Sequence, residues 1–200
     1  GEVTHQRVRH TTHGVAYDGR WKDLGEISFG IARADFDKTT RIPAVGRVRA
    51  KARPWLYNGT AALIISKSIS VYAGYARGLE ESGTAPSSAA NRNEPLDTII
   101  TTQKDAGVSF QVSPSIKAIV GVFDLRRPYF GFDTGNVFRQ VGSIRSRGAE
   151  FSVTGKLTPR LNVLLGGVLL KPRVTRSADI LGEIGDKPFG LPTHLGDLGL

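Results

Sequence analysis

A strict two-residue alternation of apolar and polar side chains runs from one end of the chain to the other, and no helical period competes with it. Residues 105–112 place Ala106, Val108, Phe110 and Val112 against Asp105, Gly107, Ser109 and Gln111. Residues 26–32, 69–76 and 148–154 repeat the pattern, with Ile27, Phe29 and Ile31 on the first, Ile69, Val71, Ala73 and Tyr75 on the second, and Ala149, Phe151 and Val153 on the third. In a strand such sets lie on opposite faces of the pleat. One face is branched and aromatic, the other small and polar. The chain is therefore all-β. Alternation of this kind suits a soluble sandwich as well as a sheet against lipid.

The joints between the strands separate those two readings. Short joints fall at 22–24, 67–68, 113–115 and 158–160, and long polar ones at 37–53, 80–98, 127–136 and 173–190. Short and long alternate strictly. In an antiparallel meander alternate joints lie at the same end of the sheet, so tight turns collect at one end and long loops at the other. Outer-membrane barrels have this asymmetry. Strands such as 116–125 and 161–170 match the roughly 10 residues of a tilted bilayer span. The expected fold is an antiparallel up-and-down meander forming part of a large transmembrane β-barrel. The longest apolar run, residues 163–170, is far short of the ~20 residues of a membrane helix.

Composition narrows the function. The absence of cysteine removes disulfide frameworks, thiol catalysis and zinc–thiolate sites. Methionine is absent too, even at position 1, so the chain reads as less than a complete translation product, and residues 1–20 hold no apolar signal segment. The 24 glycines suit a small inner face, and 27 Lys and Arg against 18 Asp and Glu leave a net charge of +9.

The segment Tyr75-Ala-Arg-Gly-Leu-Glu-Glu-Ser-Gly-Thr-Ala-Pro, continuing through Ala89-Ala-Asn-Arg-Asn-Glu-Pro-Leu96, resembles the strand-to-loop passage of TonB-dependent outer-membrane receptors. Phe123-Asp-Leu-Arg-Arg-Pro-Tyr-Phe130, followed by Asn136-Val-Phe138, does so as well. Arg145-Ser-Arg-Gly-Ala-Glu-Phe-Ser-Val-Thr-Gly-Lys-Leu-Thr-Pro-Arg160 is similar to that family's recurrent basic-Gly-x-Glu strand and its short periplasmic turn. The resemblance covers nearly the whole chain, most closely residues 55–172, and points to the siderophore-receptor branch. It implies an N-terminal plug inside a 22-stranded barrel, import of ferric siderophores or similar metal chelates, energy from the TonB complex through the N-terminal region, and contact with outer-membrane lipid and lipopolysaccharide. No TonB box, plug or closing aromatic-terminated strand is visible in residues 1–200. The expectation is a middle-to-late portion of the barrel domain, about eight or nine strands, located in the bacterial outer membrane.

Several side chains are candidates for ligand contact. Residues 38–53 carry Lys38, Arg41, Arg47, Arg49, Lys51 and Arg53 and no acid. The last four are spaced by two, so an extended segment presents them on one face with Val48, Ala50 and Ala52 behind. They suit an anion-attracting surface, for an anionic ferric chelate or lipopolysaccharide phosphates, or a solvated run that keeps a loop soluble. Arg126, Arg127, Tyr129 and Phe130 leave a strand at the long-loop end, as ligand contacts or as part of an interfacial girdle. Trp55 and Tyr57 fit a girdle. His10 and His13 face opposite ways in an extended chain, and no metal site or cofactor is expected. The segment Gly83-Thr-Ala-Pro-Ser-Ser reads as flexible loop, since no phosphate-cradling motif follows. No nucleophile with a base partner is present, so no enzyme is expected. The rival reading is a soluble β-rich module that binds nucleic acid or other polyanions through its basic face. Against it, aromatics are not interleaved with the basic run as base stacking requires, and no nucleic-acid partner is expected.

Overall fold

The computed structural model describes residues 5–42, 46–158, 160–176 and 194–199, and every strand among them joins one antiparallel sheet. The strands are β1 (His5–Trp21), β2 (Gly25–Ile42), β3 (Gly46–Ala52), β4 (Trp55–Ser66), β5 (Ile69–Glu80), β6 (Ile99–Ser113), β7 (Ile116–Phe132), β8 (Phe138–Thr158), β9 (Leu161–Arg176) and β10 (His194–Gly199). Their order in the sheet is β1-β2-β4-β5-β6-β7-β8-β9-β10, an up-and-down meander. β3 and β4 both pair with β2, at residues 36–42 and 25–33 respectively. They form one line interrupted at Arg53-Pro54. Pro54 has no N–H to give, but its carbonyl accepts from Ala34 N at 3.1 Å and carries the ladder across the break.

Register places alternate residues on two continuous faces. Tyr17 stands opposite Phe29 and Val15 opposite Ile31. Farther along, Val71, Val108, Val120 and Phe151 are successive partners across β5 to β8. These side chains belong to one face, and it is bare. Tyr17, Phe29, Val122 and Leu169 are 51%, 52%, 58% and 58% exposed, and Ile27, Ile31, Leu63, Val120 and Phe151 are exposed with them. An aqueous surface does not carry an apolar sheet face of this extent, whereas a bilayer does. The opposite face is small and polar. Ser28 bonds Thr60 through their hydroxyls at 2.9 Å, and Ser70, Ser109 and Ser152 follow on the same side. We call the apolar face outward and the polar face inward.

Tight joints close one end of the sheet. At 67–68 and 114–115 the turns are two residues long, and the third is 22–24. Gly155, at φ +153°, receives the 114–115 turn so closely that a Cβ there would strike the Ser115 carbonyl oxygen. At the far end lies the 81–98 connection, as expected.

Two long joints read from the sequence are largely taken up by strands. Residues 37–53 are mostly strand: β2 runs to Ile42 and β3 returns from Gly46. Cross-strand ion pairs stitch this hairpin, Arg49 to Asp37 and Arg53 to Asp35. The expected 127–136 joint shrinks to 133–137, because β7 continues to Phe132. Pro128 is tolerated there beside a register shift at Tyr129/Phe130, the kind of irregularity that admits proline within a sheet. Of the expected 173–190 joint, β9 takes residues to Arg176, and 177–190 lie outside the described residues, as does Pro159 of the 158–160 turn.

The strands overrun a membrane. At ~3.3 Å per residue, the 21 residues of β8 are about 70 Å long, and a 45° tilt still leaves about 50 Å of height against a ~30 Å hydrocarbon core. The excess projects at the long-joint end.

Candidate functional site

The inward face and the loop above it form the first candidate site. Tyr72 lies across Gly107 and Gly121, whose added Cβ atoms would each meet its hydroxyl at 2.6 Å. Glu150 stands beside Gly121 in register, and Tyr72 and Glu150 together with Ile119, Ser152 and Val168 border a shallow depression of about 470 Å³. Small residues here leave the inner wall open.

The 81–98 connection is knitted at both ends, although its Gly, Pro and Ser content suggests flexibility. Lys38 points inward from β2 and is 1% exposed. Its ammonium donates to Ser82 O at 2.7 Å and Gly83 O at 3.3 Å, and pairs with the Glu81 carboxylate at 3.2 Å. Ser82 Oγ donates to Leu96 O at 2.5 Å, drawing the two legs of the loop together. At the other end, Asn91 copies a strand neighbour: its Nδ2 donates to Phe138 O at 3.0 Å and its Oδ1 accepts from Phe138 N at 2.9 Å. Ala85, Ala89 and Leu96 are buried against Phe130, Phe132 and Phe138. The loop thus bridges β2 and the β7–β8 hairpin.

Asp133 fixes that hairpin. Its Oδ1 accepts from Gly135 N and Val137 N, both at 2.9 Å, and its Oδ2 from Arg139 Nε at 2.5 Å. The Arg139 guanidinium first, and the backbone donors after it, hold this carboxyl below the usual carboxylate range. Sequence reasoning missed Asp133 and Asn91, although Asp-Thr-Gly-Asn at 133–136 is a turn signal in its own right.

The outward face carries the second feature. Beyond the apolar belt, aromatic and basic side chains stack: Arg33 lies over the Trp55 ring at 5.1 Å and Arg77 over Tyr57 at 5.8 Å. Trp55 and Tyr57 thus stand on the outward face, each with an arginine over its ring. Continuing along the same alternation, the outward side holds Arg7 and Arg9 on β1, Arg33 and Arg41 on β2, Arg47, Arg49 and Lys51 on β3, and Arg53 just after it. It continues with Arg77 on β5, Lys104 on β6, Arg126 on β7, Arg145 and Arg147 on β8, and Lys171 and Arg173 on β9. Against these fifteen cations stand, among the described residues, three outward carboxylates, Asp35, Asp37 and Asp124. Each is already paired: Asp35 with Arg53, Asp37 with Arg49, Asp124 with Arg145 and Arg147. The Arg49 hydrogen bond holds the Asp37 carboxyl below its usual range.

The sequence candidates divide between the two faces. Arg47, Arg49, Lys51 and Arg53 do share one exposed face, with Val48, Ala50 and Ala52 half-buried behind. That face is the outward one. Arg126 also turns outward, opposite Arg145, whereas Arg127 and Tyr129 alternate to the inward side, opposite Ile144 and Gly142. Phe130 packs on the loop cluster. His10 meets the Phe36 ring edge-on at 6.1 Å, and His13 lies on the other face. Among the described residues no three His, Asp or Glu side chains gather as a metal site.

Residues 10–200 match the family model described as TonB dependent receptor-like, beta-barrel. No curated protein matches the chain. Among solved structures, the chain is similar to the siderophore receptor PiuA from Acinetobacter baumannii (TM-score 0.74, 13% identity, 96% of this chain and 31% of that one). It is similar also to the ferric yersiniabactin uptake receptor FyuA from Yersinia pestis (TM-score 0.72, 13% identity, 96% and 31%). A third is BauA, the ferric preacinetobactin receptor from Acinetobacter baumannii (TM-score 0.67, 21% identity, 88% and 27%). The chain spans about a third of the length of these receptors or less. They share its fold, an antiparallel barrel wall, and this leaves the soluble polyanion-binding module without support. With an apolar outward face, a small polar inward face and a family match over nearly its whole length, the chain belongs to the β-barrel family of TonB-dependent receptors.

Proposed function

We propose that the chain is an arc of a larger outer-membrane receptor that binds ferric siderophores and imports them with energy passed through the TonB complex. The observation that carries this reading is the two-faced wall. Its outward side suits lipid, its inward side is small, polar and open, and a knitted loop stands at the long-joint end, where a ligand would enter. On this reading the passage is bounded by the inward face. Arg127 and Tyr129 are then the sequence candidates placed to meet an anionic chelate, by charge-assisted hydrogen bonding and aromatic contact. Arg47, Arg49, Lys51, Arg53 and Arg126 turn away from it. Lipid and lipopolysaccharide are proposed as partners of the outward side.

The test uses the full-length receptor containing this chain, expressed in iron-starved cells that lack their own siderophore receptors. Uptake of a panel of radiolabelled ferric siderophores should include at least one transported species, and removal of TonB should abolish that transport. Arg127→Gln with Tyr129→Ala should weaken chelate binding without changing receptor abundance. Transport that persists without TonB, or no chelate bound from the panel, would refute the proposal.

A further inference from the structure

We infer that Lys117 and Lys156 form an anion-holding station at the tight-turn end of the inward wall, where a negatively charged ferric chelate rests before it leaves the barrel. This rests on the receptor reading proposed above. Register places both ammonium groups. Lys117 on β7 is the direct partner of Thr154, and Lys156 is the next residue of β8 on the same side as Thr154. The two lysines are therefore diagonal neighbours, with about 7–8 Å between their Cα atoms. Gln111 stands opposite Lys117 and Asn162 opposite Lys156, so this lip of the wall is polar. On the other face of the same strands, the adjoining row is Phe110, Ala118, Val153 and Leu165, part of the apolar belt. The lysines thus back onto lipid-facing residues and look into the barrel at membrane depth. Lys67, by contrast, sits in a turn.

Both lysines are exposed, and neither makes a hydrogen bond or ion pair among the described residues. The inward acid of β8 is Glu150, about 13 Å up the strand from Thr154 at ~3.3 Å per residue. The inward acid of β6 is Asp105, about 20 Å up the strand from Gln111 on the same scale. Both separations exceed the Debye length of ~8 Å at physiological salt, so these acids leave the lysine charge uncompensated. A shallow depression of about 760 Å³ opens beside Lys156, bordered by Ser115, Thr154, Asn162 and Leu164 among others, and gives an occupant room. The order of charge along the wall has a direction. Glu150 and Asp105 at mid-height repel an anion and the lysines below attract it, so an anion past mid-wall is drawn to the tight-turn mouth. Lysine suits a place on a passage, because its hydrated point charge holds an anion without the two-point grip of arginine and lets it go. Ferric tris-catecholates are trianionic and ferric tris-hydroxamates neutral, so the station favours the first class.

The experiment uses the full-length receptor in detergent, where both mouths are open to solvent, and reads lysine acetylation by mass spectrometry. A hexadentate ferric tris-catecholate should slow acetylation of Lys117 and Lys156 several-fold and leave Lys22 and Lys67, in the turns, unchanged. A neutral ferric tris-hydroxamate should protect none of them. This footprint needs no variant, so folding does not enter. In cells, K117Q/K156Q should take up the tris-catecholate roughly tenfold more slowly, with binding at the cell surface unchanged, while K22Q/K67Q should match the parent. Equal acetylation with and without the tris-catecholate overturns the proposal, as does equal protection by the tris-hydroxamate or unchanged uptake in K117Q/K156Q. Entry of vancomycin into K117Q/K156Q cells would assign the lysines to seating a plug inside the barrel, and overturns it too. A parent that binds no chelate at the cell surface refutes the receptor reading, whereas the footprint on purified protein decides separately whether the lysines hold the anion.

Discussion

Replacing Lys38 with methionine tests whether one buried ammonium holds the 81–98 loop over the inward face. Methionine keeps the unbranched, apolar stem and removes only the charge and its donors. The ammonium is 1% exposed and serves two backbone carbonyls, Ser82 at 2.7 Å and Gly83 at 3.3 Å. A hydrogen bond from a charged donor is worth about 1.5–3 kcal/mol, and the longer of the two contributes at the low end or less. Ser82 is itself buried, so its carbonyl gains no water in exchange. About 3 kcal/mol is therefore expected on the equilibrium between closed and open loop, roughly a 150-fold larger open population. Glu81 should matter far less. Its carboxylate is about half exposed, and an ion pair with a solvated partner adds about 0–1 kcal/mol. Glu81→Gln leaves both carbonyl bonds in place. The assay is amide exchange in the full-length receptor at Ala85, Asn93 and Leu96, whose N–H groups close the loop onto Glu94, Ala85 and Gly83. Exchange there should accelerate by about two orders of magnitude in K38M, and no more than about fivefold in E81Q. Equal effects from the two variants would refute the reasoning, since the surface ion pair, and not the carbonyl anchoring, would then be what holds the loop.

At the other end of the loop, Asn91→Ala removes both bonds to Phe138 and should loosen the attachment by about 1–3 kcal/mol, seen as faster exchange at Phe138 N with Ala85 unaffected. Gly155→Ala should lower the temperature at which the barrel loses its heat-modifiable gel mobility, by at least several degrees, because the new Cβ meets the rigid Ser115 carbonyl and the φ of +153° is one that side chains rarely adopt. Gly166→Ala, whose Cβ would lie 3.6 Å from its nearest neighbour, Phe151 O, should leave that temperature nearly unchanged. The Asp37 carboxyl is depressed below its unfolded value by Arg49, so it stabilises the β2–β3 hairpin above about pH 4 and ceases to do so as pH falls through its lower folded value. Amide exchange across residues 36–52 should show that acid-side loss in the parent and no such step in Asp37→Asn.

The strands were legible in the sequence because each alternating set is local: five or six residues suffice to show which side is apolar. What stayed hidden was pairing between distant residues. Residues 38–53 hold no acid, and a basic stretch read by itself looks solvated. Its counter-charges, Asp35 and Asp37, lie just upstream in β2, and only the hairpin fold sets them opposite Arg53 and Arg49. Pro128 gave the same false boundary, since the register shift that accommodates it is a property of the β7–β8 pair. The knitted loop is a third case. Gly83, Pro86 and Ser87 look flexible as composition, but Lys38, which anchors the loop at Ser82 and Gly83, is more than forty residues away.

The same limit explains why the function of the basic run could not be decided from spacing. Period two says that Arg47, Arg49, Lys51 and Arg53 share a face; it does not say which face. That follows from a chain of partners: Arg53 lies opposite Asp35, which continues the alternation of Ile31 and Phe29, which stand beside Val15 and Tyr17 on the bare apolar side. Once outward is fixed for one strand it is fixed for all, because direct partners share a side. The charge then sorts by face. Outward acids are few and paired, whereas Glu26, Asp105 and Glu150 look inward with the serines and glycines. The proposed receptor reading, with a passage along one side and lipid along the other, asks for that division. A soluble module binding a polyanion with its basic strands would leave the apolar belt directly below them facing water.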